Sequence, residues 1–235
     1  MTAYVIMALT VLVGAFVQGS TGLGFALISG PVVGMIEPRL LPVFLLIQMI
    51  PLNGYVTWRE RRALDVPGTA WVSLGRFAGT FGGLWVLFLV TDRQLSLLIG
   101  LSTVLAVLTT MLAPSFEPGK GAFLTAGLVT GVTETSTGIG GPPLALVYQH
   151  RPAPVLRSSV AACFLVGEVV SLAILAVSDK ITPDQVRTAL LLLPAVIVGA
   201  LLSRLVHRRL NGTLMRYLVL GFALASGVVI TAQAV

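Results

Sequence analysis

"QGSTGLGF" at residues 18–25 interrupts an apolar N-terminal run, and "TETSTGIGG" at residues 133–141 interrupts another far downstream. At an offset of 116, Ser20-Thr21-Gly22-Leu23-Gly24 falls on Ser136-Thr137-Gly138-Ile139-Gly140, and Pro38 falls on Pro154. Further along, the offset grows to about 120, as loop insertions produce. Gly79 then meets Gly199 and Gly100 meets Gly221. Each half reads as five segments: two short runs joined by the glycine motif, then three long runs. The expectation is a duplication, with residues 1–116 as the first repeat and 117–235 as the second, both within a single integral-membrane domain.

Only 10% of the 235 residues are charged and 56% are hydrophobic, whereas a water-soluble domain carries about a quarter charged residues. Runs at 40–58, 66–90, 95–112, 156–177, 186–205 and 214–232 approach or exceed the ~20 apolar residues that cross a bilayer. The expected class is an all-α polytopic protein of the lipid bilayer. A net charge of +6 in a soluble protein would point to nucleic acid. Here the basic residues cluster in short loops, where the Lys/Arg bias of cytoplasmic loops accounts for them, so no nucleic-acid partner is expected. The single cysteine, Cys163, permits no intrachain disulfide and reads as a small buried hydrophobe. The first run lacks a basic lead and enters a motif that recurs, so it reads as a retained segment rather than a cleaved signal.

The runs at 4–18 and 25–36 hold 15 and 12 residues. At 1.5 Å per residue they reach about 22 and 18 Å, short of a hydrocarbon core of about 30 Å. They form either a hairpin that dips in and returns or one broken span. Loop charge chooses between these. Arg59, Arg61 and Arg62 follow the third segment, and His207, Arg208 and Arg209 follow the ninth, flanked by Arg204 and Arg216. Both loops should be cytoplasmic. They are not equivalent loops of the two halves, so the halves must be inverted. Inversion needs an odd number of crossings per half, which makes each short pair re-entrant. The count puts Lys120, Arg151 and Arg157 inside as well, Arg39, Arg93, Lys180 and Arg187 outside, and both termini outside the cytoplasm. The expected fold is two inverted repeats, each a short re-entrant or broken helix pair followed by three transmembrane helices.

Unpaired backbone N–H groups are not tolerated in lipid, so a helix break at depth must line a cavity or be covered by protein. At each motif the second short helix presents an N-terminus carrying about half a positive charge. Ser20 and Thr21, or Ser136 and Thr137, are expected to cap it and to offer hydroxyl donors. Gly22, Gly24, Gly138, Gly140 and Gly141 let the backbone approach a ligand, and Pro142 and Pro143 suit a first helical turn. Inverted repeats would bring the two tips in from opposite faces to converge near the midplane. That arrangement suits a small anion, as at the broken helices of secondary transporters. The candidate substrate-binding set is Gln18, Ser20, Thr21, Gly22, Gly24, Thr135, Ser136, Thr137, Gly138, Gly140 and Gly141. The competing reading is that the glycines only allow tight helix packing.

Three ionisable residues lie inside apolar runs: Arg76, Glu134 and Glu168. Such groups usually line a pathway or pair with one another. Glu134 occupies the position that Gln18 holds in the first copy; beside an anion it is a candidate for proton coupling, with Arg76 and Glu168 candidates for charge balance. A buried structural ion pair is the alternative. Gln48 and Asn53 either line the cavity or bond between helices. Gly75, Gly79 and Gly83 recur every four residues and read as a close helix contact, within or between protomers, so a homo-oligomer stays open. Trp58, Trp71 and Trp85 suit interfacial or lipid-facing positions.

Soluble-enzyme signatures are absent: there is no HExxH, no CxxC and no nucleotide-binding glycine fingerprint after a strand. His150 and His207 lie in basic loops with no metal or triad partners in sequence. Neither a metal nor a cofactor is expected. The one conceivable intramembrane nucleophile–base pair is Ser136 with Glu134. An anion channel and a structural subunit of a membrane complex remain alternatives to a carrier.

The segments "GAFVQGSTGLGFALISGP" (14–31) and "GLVTGVTETSTGIGGPPLALV" (127–147) resemble the sulfite exporter TauE/SafE family of bacterial and archaeal permeases, itself a duplicated architecture. The resemblance covers nearly the whole chain. It implies transport of small sulfur-containing anions, such as sulfite or organosulfonates, across the cytoplasmic (inner) membrane of a prokaryote. It also implies that the Ser-Thr-Gly residues of the two motifs are the binding elements. Arg76, Glu134 and Glu168 belong to no motif of that resemblance and rest on the physical argument alone. The two copies differ, with Gln18 and Phe25 in the first where the second has Glu134 and Gly141.

Overall fold

The computed structural model describes residues 2–112, 117–206 and 212–234, and among them every regular element is a helix. The α-helices are α1 (Thr2–Thr21), α2 (Phe25–Ile36), α3 (Val43–Arg59), α4 (Val66–Leu89), α5 (Asp92–Leu112), α6 (Lys120–Thr137), α7 (Gly141–Tyr148), α8 (Ala153–Val177), α9 (Pro183–Val206) and α10 (Gly212–Ala234). Four of them, α1, α4, α8 and α9, are long and apolar enough to cross a bilayer unaided. The His207-Arg208-Arg209 loop and the junction at 113–116 lie outside the described residues.

Local signals place the boundaries. Asp65 caps α4, its carboxylate accepting from Gly68 N–H at 3.1 Å. Pro152 immediately precedes α8, its ring fixing φ near −50° and its ψ of 141° still outside the helical range. Both hairpins stop their first helix the same way: Gly22 N–H donates to Gln18 O at 2.7 Å, and Gly138 N–H donates to Glu134 O at 2.8 Å. Both glycines have positive φ, 92° and 79°, the left-handed turn that ends a helix.

One boundary differs from the sequence reading. α1 is a 20-residue helix, not a 15-residue run ending at Gln18. At about 30 Å it matches a full hydrocarbon thickness. It continues because the motif hydroxyls satisfy carbonyls of the helix they sit in: Ser20 Oγ donates to Phe16 O at 2.8 Å and Thr21 Oγ1 to Val17 O at 3.0 Å. The chain nonetheless returns on itself. Phe25 and Ser29 of α2 lie back against Gly14 of α1, so α1 and α2 form an antiparallel hairpin.

The packing repeats when the halves are exchanged. α4 lies along α6, and α9 lies along α1, each pair running parallel. A Cβ on Gly79 would collide with the carbonyl of Leu128, and one on Gly199 with the carbonyl of Leu12. Leu12 and Leu128 are themselves 116 apart. Gly75 and Gly83 also meet backbone of α6, so this ladder is a helix contact within the chain. α3 and α8, the counterparts of each other, pack antiparallel: Glu60 just after α3 meets Arg157 at the start of α8, while Val43 and Leu46 cluster with Leu175 at the far end. α5 and α10 are also antiparallel, Gly100 facing Thr231 and Gly227 facing Thr103. Two equivalent helices can run antiparallel only if the relating axis crosses them, which is an inverted arrangement.

The contacts sort the charges into two ends. At one, Arg157 Nε donates to both oxygens of Glu60 at 2.9 Å, Arg59 bonds Ser203 of α9 at 3.3 Å, and Lys120 lies over Trp71. At the other, Gln185 bonds the Arg39 carbonyl at 2.8 Å and Lys180 sits 4.1 Å over Phe88. The surface between is apolar, with Leu74, Phe77, Phe81, Trp85 and Phe88 of α4 exposed, whereas Gln18, Gln48, Asn53, Arg76, Glu134 and Glu168 are buried. A soluble protein is built the other way round. Trp58 and Trp85 are exposed as expected; Trp71 is half-buried under Lys120.

Candidate functional site

The polar residues scattered over five apolar segments converge on one buried cluster. Arg76, one per cent exposed at mid-length in α4, forms an ion pair with Glu134 of α6 and donates from Nη1 to the Cys163 carbonyl of α8 at 2.9 Å. Its guanidinium lies against Gly167, where any side chain would strike Nε, Cζ and Nη2. Next to it in sequence, Glu168 accepts from Asn53 Nδ2 at 2.6 Å, and Asn53 Oδ1 accepts from Gln18 Nε2 at 2.8 Å. Gln18 Oε1 in turn accepts from the backbone N–H of Phe25 at 3.0 Å. The cluster thus ties α1, α3, α4, α6 and α8 together at the level of the helix breaks.

The two tips sit beside one another. Leu23 of the first packs against Gly141 of the second, and Ile139 of the second packs against Gly30 of α2. Gly138 rests on Leu45 of α3, while Gly22 rests on Leu156 and Arg157 of α8. Leu45 belongs to one end of the bundle and Arg157 to the other, so each tip runs past the centre and the two overlap side by side rather than meeting head-on. Gly22, Gly24, Gly138, Gly140 and Gly141 are all buried, as are Gln18, Ser20, Thr135, Ser136 and Thr137; Thr21 is half-buried.

The expected capping is not what the hydroxyls do. Ser20, Ser136 and Thr137 donate to carbonyls one turn back in their own helices, and Thr21 Oγ1 lies within bonding distance of Val17 O, 3.0 Å, and of Leu23 O, 2.6 Å. Thr21 Oγ1 and Thr137 Oγ1 also accept from Leu23 N–H and Ile139 N–H, 3.3 and 3.2 Å away, which shapes the turn rather than the next helix. A hydroxyl inside an apolar helix finds its nearest acceptor in that helix. The residues preceding α2 and α7 are Gly24 and Gly140, which supply no side-chain cap. The first turn of α2 is capped from seven residues upstream, by Gln18. Thr135 of the candidate set bonds Ser171 Oγ at 2.7 Å. Ser136 and Glu134 do not form a nucleophile–base pair: one bonds helix carbonyls, the other bonds Arg76.

Gln48 and Asn53 both bond between helices, Gln48 Nε2 donating to the Ala189 carbonyl of α9 at 3.1 Å. Cys163 is a buried thiol. Among the described residues no group of His, Cys, Asp or Glu is arranged to hold a metal. Sequence reasoning named every charged member of the cluster but missed Gly167, whose lack of a side chain is what admits Arg76. Its only sequence signal is its place directly before Glu168 in an apolar run. Four buried polar atoms of this region have no protein partner: Glu134 Oε1, Glu168 Oε2, Arg76 Nε and, one helical turn or more away, Ser29 Oγ.

A family model described as sulfite exporter TauE/SafE matches residues 6–230, nearly the whole chain. No curated protein and no solved structure matches it.

Proposed function

The chain belongs to the sulfite exporter TauE/SafE family, whose members are membrane transporters of sulfite or related anions, and from that premise we propose that it exports a small sulfur-containing anion held between the two helix breaks. The observation that carries this is the juxtaposition of two glycine-capped helix N-termini with a buried arginine. α2 and α7 begin side by side, neither has a capping side chain at its N-cap residue, and Glu134 beside Gly140 is neutralised by Arg76. Backbone N–H groups at helix starts favour an anion. The Ser-Thr-Gly turns shape that site, and Arg76, Glu134 and Glu168 balance its charge.

Burial of the motif supports a carrier that opens alternately to the two sides over a continuous pore. Two inverted hairpins packed side by side are the elements whose rocking would expose the site. The excess of arginine at the Arg59 end supports a cytoplasmic position for that end, with the first residues of α1 outside. An inside-negative potential then drives an anion outward. In this reading residues 1–116 and 117–235 are the two repeats.

The test is transport by protein reconstituted in liposomes, following counterflow of sulfite, sulfate, thiosulfate and small sulfonates with and without a proton gradient. Counterflow of a sulfur oxyanion or sulfonate above empty liposomes is expected. Movement of none of them would end the anion reading and leave a structural role.

A further inference from the structure

The hydrogen bonds from α2 to Glu168 have a polarity that no amide flip can reverse. The chain begins at Phe25 N–H, which can only donate, so the Gln18 atom facing it must be the oxygen. Gln18 therefore turns its NH₂ to Asn53, Asn53 must present its oxygen there, and its NH₂ must face Glu168 Oε1. Glu168 Oε1 is thus an acceptor under all conditions. Any proton on this carboxyl sits on Oε2, which is fully buried and has no protein partner.

The charged and titratable groups facing Glu168 are few. α4 brings Arg76 and α6 brings Glu134, and these two are paired with each other. α3 brings Asn53, and α1 reaches it only through Gln18. Cys163 lies on α8 itself one turn below; Tyr148 of α7 and Asp65 sit further down, against Gly68 and near Ser159. Two carboxylates share one guanidinium, and that guanidinium is bonded to Glu134. Glu168 is the member with no direct ion pair to it.

We propose that Glu168 takes up a proton together with the anion, and that Asn53 and Gln18 relay its charge to the N-terminus of α2. This rests on the anion reading given above. With Glu168 ionised, the bonds in series polarise one another. Gln18 Oε1 is then held firmly on Phe25 N–H, and a negative charge stands behind the site; both oppose an anion. A proton on Oε2 removes the charge, loosens the Gln18 cap and frees Phe25 N–H for the incoming anion. Gln18 is in effect a stand-in ligand that the substrate displaces. Coupling of two bound species is reciprocal, so anion binding must also draw in a proton.

The experiment measures binding of methanesulfonate, which stays a monoanion throughout, to the detergent-purified protein between pH 5 and 8. Affinity should rise as pH falls, by at most about tenfold per pH unit for one linked proton. Glu168→Gln should flatten this profile, because Gln can accept from Asn53 through its oxygen and place its NH₂ where protonated Oε2 was. Wild-type protein in weakly buffered solution should take up protons when methanesulfonate is added, a measurement that needs no variant to fold. A flat wild-type profile, no proton uptake, or an unchanged slope in Glu168→Gln would overturn the relay while leaving the anion site standing. No binding of methanesulfonate, sulfite, sulfate or thiosulfate at any pH would overturn both.

Discussion

The two hairpins share a sequence motif and a backbone path but solve the same problem with opposite chemistry. In α1–α2, a neutral amide at Gln18 folds over the break and bonds the first N–H of α2. In α6–α7, the equivalent residue is Glu134, and the carboxylate is turned to Arg76 instead. A neutral cap can be displaced without leaving a buried charge. A carboxylate cannot stand alone at that depth, because the effective cost of an unpaired buried ion is several kcal/mol. The first hairpin is therefore suited to exchange its cap for a ligand, while the second is pinned to α4 and α8. Length follows the same division: α2 has 12 residues and α7 only 8.

The largest effect should come from unpinning the second hairpin. Arg76→Met strands Glu134 and should lower stability by about 3–5 kcal/mol, seen as a large drop in the melting temperature of the detergent-solubilised protein. Adding Glu134→Gln should recover much of it. A single variant as stable as the wild type would refute the contrast between pinned and exchangeable hairpins.

Next come the glycines that the contrast does not touch. Gly79→Ala and Gly199→Ala each drive a methyl into a carbonyl of the partner helix, Leu128 or Leu12. Each should cost about 1–3 kcal/mol, the usual penalty of overpacking. The two should match, because these contacts are equivalent in the two halves. Unequal losses would show that exchange symmetry does not extend to energetics.

At the turns the halves should differ again in cause. Gly24 has φ 130°, which no L side chain adopts comfortably, so Gly24→Ala should lose about 1–3 kcal/mol whatever surrounds it. Gly140 has φ −128°, and the obstacles there are Thr130 Cγ2 and Glu134 Cβ, both 2.8 Å from a built Cβ. Thr130→Ser removes the first obstacle and should relieve Gly140→Ala in part, while no neighbouring substitution relieves Gly24→Ala. Melting curves of these variants decide it.

The smallest perturbation tests the orientation. Single cysteines at Arg61 and Arg187, both exposed and at opposite ends, should leave stability within about 0.5 kcal/mol. In intact cells, with Cys163 buried and unreactive, they should label from opposite sides with an impermeant maleimide, Arg187→Cys from outside. Labelling of both from one side would end the inverted reading.

Much of this was legible along the chain. The offset of 116 paired the motifs, and the same offset reappears in space as Leu12 and Leu128 under Gly199 and Gly79. Arg76, Glu134, Glu168, Gln48 and Asn53 stood out because polar groups in apolar runs are costly and need partners. What could not be read was how each polar group would be satisfied. Ser20 and Ser136 were expected to face a ligand, but a hydroxyl in a helix always has a carbonyl four residues behind it, and that local bond needs no tertiary contact. Gln18 as the cap of α2 was hidden for the opposite reason: it bonds Phe25 across a turn and Asn53 across 35 positions, and no local pattern encodes that.

Composition and hydropathy determine, without coordinates, that this is a helical membrane protein, and loop charge with internal repetition leads to the reading of two inverted halves with a glycine break in each. Those properties depend on sums over many residues, on the cost of putting charge or bare backbone into lipid, and on a period that survives in the sequence. Only the tertiary structure decides which carboxylate receives Arg76 and which is left at the end of an amide relay. That choice depends on single side chains meeting in the interior, and on a glycine at 167 leaving room for one guanidinium.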